Sequence, residues 1–71
     1  MVSYLYQFPD GETVANEQEL VAQVRDMKGH LDLEAVTIHV YEVMEVGRRH
    51  VGTVQADKVD QYGGFNSNWV G

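Results

Sequence analysis

Three histidines, His30, His39 and His50, are the side chains best suited to chemistry in this 71-residue chain, which has no cysteine. Imidazoles build a metal centre only when they converge on one point, from close helical spacings or from adjacent strands. His39 and His50 fall in two β-prone runs that a hairpin would pair. Neither hairpin register that the sequence favours sets them opposite one another, however. His30 follows an expected helix end, where a histidine also satisfies terminal carbonyls. Structural or surface roles are therefore expected for all three, with no metal and no cofactor.

Nucleophilic catalysis has as little support. Ser3 and Ser67 are the only serines, and no Gly-x-Ser-x-Gly turn surrounds either. Glu42 and Glu45 could work as paired carboxylates only across a bulge, because strand residues three apart point to opposite faces. Gly63-Gly64 lacks the downstream lysine and the following helix of a phosphate loop. The chain is expected not to be an enzyme, and a small enzyme or enzyme subunit is the weakest functional reading.

Contact is better supported than catalysis. Tyr4, Tyr6 and Phe8 share one face of an alternating run, and aromatic stripes can stack nucleic-acid bases beside a positive groove. Here the formal net charge is −6, so direct nucleic-acid binding is not expected. The stripe reads instead as sheet core or as a contact surface. Arg48-Arg49-His50 is the one concentration of positive charge; it can grip a phosphate or an acidic partner, or it is simply solvated or paired with Glu45. Tyr41 lies on a strand face that is partly apolar. Tyr62, Phe65 and Trp69 sit in a segment otherwise rich in glycine and asparagine, and disordered tails seldom carry so many aromatics. Tyr4, Tyr6, Phe8, Tyr41, Arg48, Arg49, Tyr62, Phe65 and Trp69 together make up the candidate interaction surface.

The elements that must position these residues follow from patterning. Val2 to Phe8 alternates with period two and reads as a strand. Pro9-Asp10-Gly11 turns the chain, and Thr13-Val14 can return as a short strand. Asn16 is a good helix N-cap, with Glu19 three residues on. Leu20, Val24, Met27 and Leu31 recur at helical spacing, and Gly29 suits the position just after the last turn. One helix over about residues 16–28 is expected. From Ala35 to Ala56 two β-prone runs flank Gly47, which reads as a long hairpin. A two-residue Gly47-Arg48 loop would oppose Val46 to Arg49. A three-residue loop would oppose Glu45 to Arg49, Val43 to Val51 and Val40 to Val54, and is slightly favoured by its side-chain pairs. A bulge near Tyr41-Glu42 would swap the faces.

The expected fold is α+β: an antiparallel sheet of three to four strands with one helix packed on one face, in the order β(β)αββ. Residues 1–71 read as a single small domain; 57–71 is an aromatic tail that either folds back so that Phe65 and Trp69 complete the core, or stays flexible and reaches a partner. Ordering a domain this small consumes nearly all that its burial contributes, so association with a second copy is a natural source of stability. No basic-then-apolar leader and no apolar run of about 18 residues is present, which points to a cytoplasmic protein with no membrane partner. Size and composition suit a small bacterial or phage protein. The leading functional reading is a non-enzymatic interaction or assembly protein, self-associating, with a dimer favoured, through a sheet face, a strand edge or the aromatic tail; another protein is the second kind of partner. The alternative is a phage-type acidic inhibitor in which Asp10, Glu12, Glu17 and Glu19 mimic nucleic acid and block a host nucleic-acid-binding protein.

Overall fold

A computed structural model describes residues 2–70. Strand β1 (Ser3–Gln7) turns into the two-residue β2 (Thr13–Val14), and helix α1 (Glu17–Met27) follows. A 3-10 turn at Leu33–Ala35 leads into β3 (Thr37–Met44) and β4 (Gly47–Gln55). Helix α2 (Ala56–Tyr62) and a second 3-10 turn (Ser67–Val70) complete the described chain. The four strands form one antiparallel sheet in the order β2-β1-β3-β4.

The local reasons are those of the sequence where the signal is strong. The Asn16 side chain accepts from the Glu19 backbone N–H at 2.8 Å, which satisfies one of the free donors at the start of α1. Leu20 and Val24 are the fully buried residues of that helix. They pack with Tyr6, Val14, Ile38, Val40 and Val54 from the sheet and with Phe8 just beyond β1.

A second helix was not expected, and α2 corrects the one-helix reading. Its seven residues are too few to show helical periodicity, and Gln55 at its N-cap makes no side-chain capping bond. Two other things hold it. The Ala56 N–H donates to the Val36 carbonyl at 3.0 Å. Ala56 and Val59, three apart on one face, are fully buried in the common core. Gly63 ends the helix at φ 67°, a left-handed conformation that glycine adopts without penalty. Asp60 then bridges the helices through Lys28 at 2.9 Å and Arg25 at 3.7 Å.

The hairpin is present, but in neither of the two expected registers. Met44 pairs with Gly47, Val43 with Arg48 and Glu42 with Arg49, so the turn is Glu45-Val46. Primed two-residue turns need positive φ at a turn residue. Among the described residues none other than glycine has positive φ, and Gly47 has it at 136°, just after the turn. The glycine therefore corrects the strand twist from the far side of the turn. A bulge does occur opposite Val40 and Tyr41, but its extra residue is on β4 and not at Tyr41-Glu42, so β3 keeps its alternation and its faces do not swap. Val40 pairs with Gly52 and Tyr41 with His50, which leaves Val51 as the extra residue on β4.

Residues 56–70 are folded onto the molecule. Phe65 stacks edge-to-face on Tyr4 and Tyr6, with centroids 5.5 and 5.2 Å away, and Trp69 stacks on Phe65 at 6.0 Å. The Phe65 N–H donates to Glu17 Oε1 at 2.7 Å. The second 3-10 turn lies against β4 so closely that a Cβ on Gly52 would be 2.8 Å from the Val70 carbonyl oxygen. Backbone cannot yield as a side chain does. Gly52→Ala is expected to lower stability by about 1–3 kcal/mol, read as an earlier urea midpoint at unchanged slope; an unchanged midpoint would show that the turn does not pack there.

Candidate functional site

Both helices contribute to the core that lies on one face of the sheet, the face of Tyr6, Val14, Ile38, Val40 and Val54. Side chains alternate along a strand. The opposite face therefore carries Ser3, Leu5 and Gln7 from β1, Thr13 from β2, Thr37, His39, Tyr41 and Val43 from β3, and Arg48, His50, Thr53 and Gln55 from β4. The strand register places these residues side by side. His50 and Thr53, three apart, share this face because Val51 is the extra residue of the bulge.

The composition of this open face departs from that of the chain. The chain has 11 Asp and Glu residues, and none of them is among the open-face positions. Glu42 is on the helix side, where Arg49 donates to it at 3.2 Å. Glu45 is in the hairpin turn, and the others are in helices and loops. Arg48 and two histidines are the only ionisable groups of the face besides Tyr41. Charge is thus segregated across the sheet, with the acid on the helical side and in the loops.

The central residues of the face contact one another. Leu5 pairs with Tyr41 and Ser3 with Val43. The Tyr41 hydroxyl donates to Gln7 Oε1 at 3.2 Å. The Arg48 guanidinium carbon sits 4.5 Å from the Tyr41 ring centroid, a cation–π contact. His50 meets the same ring edge-on at 5.2 Å. His39 Nδ1 and His50 Nε2 are 3.0 Å apart and share a hydrogen bond whose donor depends on the tautomer. Val43 is 48% exposed. At the end of the hairpin, Met44 at 48% and Val46 at 96% are also exposed, and Val2 at 55% adjoins them beside the Ser3–Val43 pair.

The residues singled out from sequence divide between the two faces. Tyr41 and Arg48 are together on the open face. Arg49 is on the other side with Glu42. Tyr6 and Phe8 are buried in the protein's own core, with Tyr4 and Phe65 packed against it; the stripe is therefore core rather than open surface. Trp69 is half-buried between Phe65, Tyr62 and the Lys58 ammonium, which lies 5.2 Å above its ring. Tyr62 is exposed. His39, His50, Leu5, Gln7 and Val43 were not singled out as contact residues. The odd phase of β1 and of β3 was the available signal for Leu5, Gln7 and Val43; for His50 the signal needed the bulge.

The core stripe has a measurable consequence. Burial, then the charge of Glu17 and the neighbouring Tyr4, pushes the Tyr6 hydroxyl up to about 12. In the unfolded chain a tyrosine ionises near about 10. Between those values the folded state keeps a proton that the unfolded state loses, so the contribution is complete below pH about 10 and disappears as pH rises towards 12. It amounts to roughly 2 kcal/mol. Wild-type protein is expected to lose more stability than Tyr6→Phe between pH about 9.5 and 11.5, as followed by urea unfolding; parallel losses would contradict the assignment.

No protein-family model matches the chain, and neither a curated protein nor a solved structure shows significant similarity to it. Among the described residues no helix is long and apolar enough to cross a membrane.

Proposed function

We propose that this is a non-enzymatic interaction protein that self-associates through its open sheet face, forming a dimer in which two such faces pack together. The observation that carries the reading is the segregation of charge: among the described residues, the sheet face without a helix over it carries no Asp or Glu side chain. Two copies each carrying a formal net charge of −6 repel one another over most of their surfaces. Joining the open faces keeps the carboxylates of both copies outside the contact. Leu5, Tyr41 and Val43 supply apolar and amphipathic area in the middle, and tyrosine suits a contact that is half wet. In a two-fold arrangement the same patch serves both partners.

The face spans about 25 by 15 Å from strand length and spacing. That is about 375 Å² of projected area per copy, under half of the about 800 Å² per partner of a standard interface, so the dimer is expected to be weak, with a dissociation constant no tighter than micromolar. Sedimentation over a range of concentrations tests the reading. A weight-average mass rising towards twice the 8.0 kDa of the chain supports it, and a constant monomer mass sinks it. The acidic-decoy reading draws less support, because Arg25 and Lys28 both reach Asp60 between the two helices and interrupt the acidic side.

A further inference from the structure

The His39–His50 contact has a use that self-association does not require. The two nitrogens face each other across 3.0 Å, with ring centroids 5.1 Å apart and ring planes inclined by 47°. Divalent first-row metals bind imidazole nitrogen at about 2.0–2.1 Å, so two such ligands in adjacent coordination positions stand about 2.9–3.4 Å apart. The separation of the histidine nitrogens falls within that window. Both residues are exposed in the single chain, so the rings can turn to aim their lone pairs at one ion before two open faces meet. Their backbones, by contrast, are fixed in hydrogen-bonded neighbouring strands, so little freedom is lost on binding.

We propose that His39 and His50 form a cross-strand chelate for a divalent first-row transition metal of the kind imidazole prefers: copper, nickel or zinc. Two nitrogen–metal bonds form as two metal–water bonds break and release those waters, and the His39–His50 hydrogen bond is lost. The ring that donated that hydrogen bond carries its N–H on the opposite nitrogen instead, so both imidazoles stay neutral and no net proton is released. Arg48, the one permanent cation of the face, is stacked on Tyr41. Among the described residues no third His, Cys, Asp or Glu joins the pair. The site therefore supplies two ligands and leaves the other positions to water or to a donor from another molecule. Magnesium and calcium, which require oxygen ligands, are poor matches.

Calorimetric titration of the full chain with nickel chloride tests the proposal. One ion per chain is expected. His39→Ala and His50→Ala should each weaken binding by about tenfold or more, and the double variant should be little worse than either single one, because a chelate is lost with its first arm. His30→Ala, which lies outside the pair, should bind as wild type does. Either paired variant binding nickel as tightly as wild type would overturn the proposal, and so would an equal loss in His30→Ala. Val43→Asp keeps both imidazoles, so the chelate and the dimer fail separately: a monomeric variant that still binds nickel supports the metal site alone.

Discussion

Phe65→Ala is expected to remove about 2–3 kcal/mol of stability, close to the loss for a large aromatic residue that is not fully buried. Phe65 is the link between the last segment and the sheet. It meets Tyr4, Tyr6 and Trp69 edge-on, and its own N–H is held by the Glu17 carboxylate. Removing the ring empties the space between β1 and the second 3-10 turn and takes from Trp69 one of its two aromatic neighbours. A domain of this size has about 4–10 kcal/mol in total, so the loss is a large share and shows clearly in a urea titration. Tyr62→Ala is the control, since that ring is 63% exposed and its loss should change stability by no more than about 0.5 kcal/mol. Equal midpoints for wild type and Phe65→Ala would mean that residues 63–70 are not part of the core.

Val43→Asp is expected to leave the monomer folded and to weaken self-association by tenfold or more. Val43 is half exposed on the open face, so the monomer loses little burial. In a two-fold dimer the substitution enters twice, and each carboxylate is placed on a surface that otherwise has none. Burying that carboxylate is costly even with Arg48 as its cross-strand neighbour, because desolvating both charges offsets most of their attraction. Tyr41→Ala acts on the same surface by a different route. It removes the ring that Arg48 and His50 both contact and the hydroxyl that bonds Gln7. If both variants associate as wild type does, the contact lies elsewhere, with the outer edge of β4 and the apolar hairpin end at Val46 as the next places to examine.

Much of the fold was legible in the sequence because several local signals agreed. Asn16 and Glu19 fixed the start of α1, and Leu20 and Val24 fixed its buried face. The alternation of Val2 to Phe8 fixed β1, and the β-prone runs around Gly47 fixed the hairpin. The misreadings have physical causes. Glycine in a hairpin can sit in the turn or just after it, and only the backbone angle at Gly47 distinguishes the two. Helix α2 is held by the buried pair Ala56 and Val59 and by the Ala56–Val36 hydrogen bond, both of which depend on the folded sheet. The open face was harder to read. Its phase on β3 was visible, with Tyr41 already marked, but one extra residue at Val51 decides which side His50 joins. Such a residue leaves no mark in composition, since Val51 is as β-prone as its neighbours. Tyr4, Tyr6 and Phe8 were the opposite case. Their face was evident, and what covers it became clear only with Phe65 folded over β1.

The most direct test of the open-face dimer is sedimentation equilibrium of wild type and Val43→Asp, from about 5 µM to about 500 µM, a range that spans micromolar dissociation constants. Wild type is predicted to pass from monomer to dimer across that range while Val43→Asp stays monomeric with an unchanged circular dichroism spectrum. A wild-type chain that remains monomeric at the highest concentration, or a variant that dimerises equally well, would contradict the account.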